Sequence, residues 1–386
     1  MARPQRAALR VPPDGADGVV ALGVVVNAIA RARLAHQHIE RRERSTPGEL
    51  VAALGAVQAQ DYAGAKWSLG LRLDGATDAD VERAIAERAI VRTWPMRGTL
   101  HFVAAEDARW MLALLSPRVL KAAARRHREL ALDEATFAKA GELWAEALAG
   151  GAQRTREEMY ELLQRAGIST AEQRGYHMLW RLAQEGVLCF GPPRGKQQTF
   201  VLLEEWVPAA RPKAREEALA EVARRYFRTR GPATVQDFLW WTGLAAADAK
   251  AALSMVEGEL ERAVVEGQTY WSGRGGEARA EGPTRAHLLP GFDEFLLAYR
   301  DRSAALEERY AKRLHAGGGA FSPSVAVDGR IRGTWRRTIK RHSVTVEVAP
   351  FARWTKAERE AIAAAAERYG AFLGMPAQMV VSAGAQ

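Results

Sequence analysis

Apolar residues recur at helical spacing in two neighbouring stretches of residues 155–206. In TREEMYELLQRAGI, Met159, Leu162, Leu163 and Ile168 fall on one stripe, behind Thr155 as a hydroxyl-bearing N-cap. EQRGYHMLWRLAQEGVL carries a second stripe through Met178, Leu179, Leu182 and Val187. The pattern then changes, and CFGPPRGKQQTFVLL reads as strand, Gly/Pro/Lys turn, strand. Helix, turn, helix and two-stranded hairpin is the element order of a winged helix. A second copy follows. ATVQDFLWWTGL and AADAKAALSMVEGEL supply its helices, and RAVVEGQTYWS a hairpin turning at Glu266–Gly267. A looser third copy occupies residues 24–105. GELVAALGAVQAQ and DADVERAIAERAIV read as its helices, and VRTWPMRGTLHFV as a hairpin turning near Met96 to Gly98.

The last hundred residues alternate short β-branched segments with turns, Asp328–Gly329 among them, before an Ala-rich helix over 356–369. The fold expected is α+β: tandem winged-helix domains with a C-terminal β-barrel-like domain. The boundaries expected are a disordered tail at 1–17, a first unit at 18–115 and a basic helical linker at 116–150. Winged helices follow at 151–210 and 211–284, then a β domain with its terminal helix at 285–386.

Composition adds a charge. Fifty-five Lys and Arg face 46 Asp and Glu, a net charge of +9, and the pI is about 9.8. An arginine-rich surface suits bidentate phosphate contact, although a GC-rich genome also raises Arg, Ala and Gly throughout a chain. Cys189 is the single cysteine, so no disulfide within the chain is available and a reducing cytoplasm is expected. It lies in an apolar strand and reads as packed core. The longest apolar run, VVALGVVVNAIA, is too short to span a bilayer.

No metal or cofactor is expected. The eight histidines are scattered; His36 and His38, two apart on a predicted helix, point to different faces. Neither a Walker loop nor a dinucleotide fingerprint is present. Asp293 and Glu294 are adjacent carboxylates after a Pro-Gly turn; they read as an acid–base pair or, on capping frequencies, as an N-cap and the first helical residue. Arg330, Arg332, Arg336, Arg337, Lys340 and Arg341 form a basic run around Trp335, which could track a phosphate backbone with an aromatic contact or be a solvated strand face. Arg125, Arg126 and Arg128 on the linking helix are similar.

LGAVQAQDYAGAKWSLGLR, RTWPMRGTLHFV, LLPGFDEFLLAYRDR and VAVDGRIRGTW, in this order, resemble the AlkZ-like (YcaQ-like) family of winged-helix DNA glycosylases over nearly the whole chain after the tail. The resemblance implies tandem winged helices and a β-barrel around a basic concave face. It also implies removal of alkylated bases, chiefly N7-modified guanines, with some members unhooking interstrand crosslinks or excising bulky natural-product adducts. The family signature, Gln-aliphatic-Gln, falls on Gln58, Ala59 and Gln60, which become the catalytic candidates.

The chemistry fits the residue type. An amide takes up no proton at neutral pH, but it can hold a water by hydrogen bonds. N7-alkylguanine is a cation whose glycosidic bond is already weak, so the task left is to place a water at C1′ beside an oxocarbenium-like sugar. Asp61 and His101 are candidate catalytic support. The DNA-contact candidates are Arg97, Arg125, Arg126, Arg332, Arg336, Arg337 and Lys340. Nothing identifies Lys66 as a Schiff-base nucleophile, so a monofunctional glycosylase is expected. The partner expected is double-stranded DNA carrying alkylated guanine, bound by a monomer at the cytoplasmic nucleoid. The competing reading is a non-catalytic winged-helix regulator or adduct-binding protein, which has no need of the glutamine pair.

Overall fold

A computed structural model describes residues 18–207, 209, 211–275, 282–317 and 320–382. The tail expected at 1–17 lies outside them. The fold is mixed α+β. One order of elements occurs three times: a helix, a short strand or bridge, two helices and a hairpin. In the first it runs through helix Pro47–Leu54, strand Val57–Gln58, helices Tyr62–Gly70 and Asp78–Ala86, and strands Ile90–Met96 and Thr99–Ala104. In the second it runs through Glu134–Leu148, Arg154–Thr155, Arg156–Arg165, Arg174–Gln184, Leu188–Arg194 and Gln197–Leu202. In the third, Arg215–Arg230 leads to a bridge between Ala233 and Trp271, then helices Val235–Thr242 and Ala246–Val256 and strands Leu260–Val265 and Gln268–Gly273.

Local chemistry sets the helix starts. Thr46, Thr77, Thr155, Thr234 and Thr355 each close a capping box with the acidic residue three positions on. The basic stretch expected to link units is the end of one helix, Ala105–Glu129, which continues through Pro117. Helix Glu134–Leu148 buries Phe137, Ala140, Trp144 and Leu148 in the same core as Met159, Leu163 and Leu179.

The first two hairpins form one six-stranded sheet, joined where Ile90–Met96 meets Leu188–Arg194 with Arg92 opposite Phe190. The first hairpin is the hub of the interior. Ile90 and Phe102 enter the core shared with the C-terminal sheet. Val91, Met96 and Val103 enter the core shared with the third unit, and Trp94 and Leu100 that of the second. Cys189 is fully buried among them, and burial pushes its thiol pKa up.

The C-terminal strands do not close into a barrel among the described residues. They form an open five-stranded sheet with Ala286–Leu289 and Ala377–Val381 at opposite edges. Helix Lys356–Phe372 crosses the sheet, burying Ile362, Ala366, Tyr369 and Phe372 against it, and returns the chain as a strand parallel to Val344–Pro350. Such a helical crossover covers one face of the sheet. The helix also meets the first unit, where Phe372 lies so close to Gly70 that a Cβ there would clash.

Candidate active site

Gln58 ends the short strand Val57–Gln58 and Gln60 lies at a bend two residues on, so neither is at the end of the helix read through GELVAALGAVQAQ. That helix stops at Gly55, which takes φ 76. The chain then pairs antiparallel with Thr99–Ala104, setting Gln58 opposite His101, and Ala59 N–H donates to Leu100 O at 2.7 Å. Ala59, between them, is fully buried, Gln58 is 7% exposed and Gln60 is exposed.

The segment's backbone is held by residues far away in sequence. Glu294 accepts Gln58 N–H at 3.0 Å through Oε1. Its Oε2 accepts Arg230 Nε and Nη2 at 3.1 and 2.9 Å and Trp241 Nε1 at 2.8 Å. Arg230 also donates to the Leu54 and Ala56 carbonyls, each at 2.7 Å. Arg92 donates to Ala59 O from Nε and Nη2 at 3.1 and 2.9 Å, with its guanidinium 4.6 Å from the Phe190 ring centre. Burial lowers the Arg92 pKa to about 10, so the group remains charged at neutral pH. Sequence reasoning missed Arg92 and Arg230; no local pattern marks either.

The amide groups have fixed senses. Arg97 Nη2 donates to Gln58 Oε1 at 3.1 Å, and Leu100 N–H donates to Gln60 Oε1 at 3.3 Å. Both partners are obligate donors, so each amide presents its oxygen to them and keeps one oxygen lone pair for another donor. Arg97 sits in the turn of the first hairpin at φ 54, but its guanidinium faces inward. It also donates to the Trp241 carbonyl and lies 3.4 Å from His101 Nε2. Burial lowers its pKa to about 10. His101 is fully buried, and its Nδ1 lies 2.9 Å from Thr99 O. A carbonyl only accepts, so Nδ1 carries the hydrogen and Nε2 turns its lone pair to Arg97. Burial, then the Arg97 charge, holds His101 well below the usual histidine range, so the ring is neutral.

Asp61 precedes helix Tyr62–Gly70 without capping it by its side chain. Its carboxylate is 45% exposed, 4.0 Å from Arg337 Nη2. Lys66 is buried in ion pairs with Asp78 at 2.7 Å and Glu82 at 2.6 Å. Asp293 is an N-cap, its Oδ1 accepting Phe295 N–H at 2.9 Å. It also takes a two-pronged bond from buried Arg72, each prong 2.8 Å. Burial pushes the Asp293 pKa up, but the Arg72 charge and these bonds outweigh it and leave it lowered.

The basic run on strand Arg330–Ile339 is divided by the pleat. Ile331, Gly333 and Trp335 are buried on one face. Trp335 is core, donating from Nε1 to Leu289 O at 2.8 Å, and is not available as an aromatic DNA contact. Arg332 and Arg336 lie on the opposite face, paired with Glu358 at 3.2 Å and, in two prongs of 2.8 Å, with Glu347. Arg337 shares the face of Trp335, donates to Tyr369 Oη at 3.1 Å and reaches Asp61. Lys340 is exposed in the turn that follows. Arg125 and Arg126 project from helix Ala105–Glu129, both near Glu129, and Arg126 also donates to Gln173.

The family model of AlkZ-like DNA glycosylases matches residues 51–372, a span that includes every site side chain described above. The chain belongs to the AlkZ-like DNA glycosylase family. It is therefore an enzyme that hydrolyses N-glycosyl bonds in DNA. It is 31% identical over 328 residues, 78% of this chain and 85% of the other, to an interstrand DNA cross-link repair glycosylase of Streptomyces sahachiroi. It is also similar to the solved structure of the DNA glycosylase AlkZ of Streptomyces sahachiroi, with a TM-score of 0.76 and 26% identity over 92% of this chain and 99% of that one. In this AlkZ-like chain no described helix is long and apolar enough to cross a membrane.

Proposed function

We propose that this glycosylase releases N7-alkylated guanine from duplex DNA, with Gln58 and Gln60 holding the attacking water. The observation that carries the reading is a pair of amides whose oxygens both accept from the first hairpin, Gln58 from Arg97 and Gln60 from Leu100 N–H, each oxygen fixed in sense by an obligate donor and each keeping one lone pair. The water donates to those oxygens and turns its own lone pair to C1′. As the C1′–N9 bond breaks, its electron pair neutralises the cationic purine, the water oxygen bonds C1′, and a proton passes to solvent. The exposed carboxylate of Asp61 adds negative charge beside the developing oxocarbenium ion, and neutral His101 supports Gln58 through Arg97. The name of the Streptomyces relative, an interstrand DNA cross-link repair glycosylase, supports crosslinked DNA as a substrate; crosslinked guanines, and a place in base excision repair or in self-resistance, belong to the proposal.

The three repeated units act as winged helices within the bounds 18–115, 151–210 and 211–284, and helix Glu134–Leu148, from the stretch expected as a linker at 116–150, packs in the core of the second. A monomer at the cytoplasmic nucleoid binds through phosphate contacts from Arg125, Arg126, Arg332, Arg336, Arg337 and Lys340. The net charge of +9 supports this.

Oligonucleotides carrying N7-methylguanine, uracil or 8-oxoguanine test the reading. Only the first should lose its base. Gln58→Ala and Gln60→Ala should each slow single-turnover release by about 10- to 1000-fold, the range for a hydrogen bond that positions a reactant. Gln60→Asp should retain more activity than Gln60→Ala, because it restores an acceptor and adds negative charge. Wild-type rates in both alanine variants would sink the assignment.

A further inference from the structure

A cavity of about 400 Å³ lies apart from the glutamines, between the end of helix Gly18–His36, the last turn of helix Arg215–Arg230 and the end of strand Gln268–Gly273. His36 and His38 both line it, contrary to the expectation of opposite faces. The helix ends at His36, and His38 takes φ 60, which turns its ring back to the same side. His36 Nδ1 lies 2.9 Å from Arg228 O, and His38 Nδ1 lies 3.2 Å from Arg41 O. Each Nδ1 therefore carries a hydrogen. Each Nε2 is an acceptor when the ring is neutral and a donor when it is charged.

Four guanidinium groups, from Arg41, Arg44, Arg228 and Arg274, line the same cavity against the carboxylates of Glu43 and Glu259. Arg41 pairs with Glu43 at 3.0 Å and Arg228 with Glu259 at 2.7 Å. Arg274 donates to Gly258 O at 3.0 Å. Arg44 has no side-chain partner among the described residues and is exposed. Positive charge in excess around one small cavity, with a ring N–H added at each Nε2 when the histidines are charged, matches a phosphate group.

We propose that this cavity is a phosphate-binding site completed by protonation of His36 and His38. When it is empty, burial holds both rings below the usual histidine range. Arg41 and His38 add to this at His36, Arg44 and Arg72 at His38, and Glu43 opposes it at both. A bound phosphate offsets the surrounding arginines and favours the charged rings. Binding then takes up protons, so affinity rises as pH falls.

The phosphate has two possible sources, a backbone phosphodiester of bound DNA or a free or terminal phosphate, and two measurements separate them. The first is affinity for an undamaged duplex by fluorescence anisotropy at pH 5.8 and 7.8 and constant ionic strength. It compares wild type, Arg44→Gln and the paired variant His36→Gln with His38→Gln. The second is titration of the His36 and His38 ring signals by NMR with inorganic phosphate. A backbone site predicts about 3- to 10-fold tighter duplex binding at the lower pH in wild type, little pH response in the paired variant, and weaker binding by about threefold in Arg44→Gln. A free-phosphate site predicts shifts of both ring signals on adding phosphate, with duplex binding unaltered by the substitutions. Because Arg44 is exposed and unpaired, that variant tests the site even if the paired variant is unstable. Equal pH responses in wild type and paired variant, normal duplex binding by Arg44→Gln and no phosphate-induced shift of either ring would together overturn the proposal.

Discussion

Replacing Arg97 with Ala separates positioning from DNA contact. In the folded protein its guanidinium serves Gln58 Oε1, the Trp241 carbonyl and the neighbourhood of His101 Nε2. A hydrogen bond from a charged donor is worth about 1.5–3 kcal/mol, and each buried acceptor left without one costs about 1–3 kcal/mol. Against that, burial lowers its pKa to about 10, so the charge is held at a cost that the alanine variant recovers. Stability should therefore fall by only about 1–2 kcal/mol. Catalysis should suffer more. Without Arg97 the Gln58 amide can turn over and present nitrogen where oxygen stood. A loss of about 1.4–2.7 kcal/mol in the transition state slows base release 10- to 100-fold. Single-turnover kinetics on N7-methylguanine DNA, with protein saturating, would measure it alongside duplex affinity. Affinity should stay within about twofold, since the group faces inward. The double variant with Gln58→Ala should be no slower than Gln58→Ala alone, because both changes remove one function. Lys at 97 should rescue poorly, as an ammonium cannot span the same three acceptors in one plane. Weakened DNA binding with normal release at saturation would refute this reasoning and make Arg97 a phosphate contact.

Two further outcomes follow from the geometry. Arg337→Ala should slow base release at saturating protein by about 3- to 10-fold through the loss of its contact at Asp61, whereas Arg336→Ala should change only affinity and its salt dependence; equal effects on release would mean the pleat does not separate their roles. His36, His38, His101, His127, His177 and His287 are all lowered in the fold, burial being the largest cause for each. Below about pH 6.5 the unfolded chain binds protons that the folded chain does not, so stability falls as pH drops, with a limiting slope of about 1.4 kcal/mol per pH unit per histidine. For His127 the window runs down to about 4. Urea midpoints from pH 7.5 to 5 in phosphate-free buffer would show the decline, and a flat profile would contradict it.

The sequence was legible where structure is local. The hairpins at Glu266–Gly267 and Asp328–Gly329 form as their turn residues require, both pairs taking positive φ. The helices after Thr155 and Thr234 carry their capping signals within four residues. The same Thr-x-x-acid signal at Thr46 was open to view and would have placed the first helix start, while Gly55 would have ended it before the glutamines. Other features have no local trace. Glu294 binds a backbone 236 positions away, and nothing around it distinguishes a buried carboxylate from a first-turn residue. Trp335 among arginines looks like a nucleic-acid contact until the pleat assigns alternate residues to opposite faces. The parallel return of Ala377–Val381 depends on a helix crossing that strand patterns do not encode. The glutamine pair stood out through family resemblance; that both amides accept from the first hairpin came only with the fold.

Glu294 gathers Gln58 of the first unit with Arg230 and Trp241 of the third onto a carboxylate that itself belongs to the C-terminal part of the chain. Repeat proteins ordinarily gain and lose units freely, because each repeat touches only its neighbours. Here the first repeat, the third and the segment beyond it meet at a single side chain, so a fragment containing Gln58 and Gln60 alone lacks the groups that hold their backbone. Duplication, deletion or exchange of one unit breaks the centre outright. A change confined to hairpin tips, loops or exposed helix faces leaves those contacts intact, so recognition can be altered there without touching the middle.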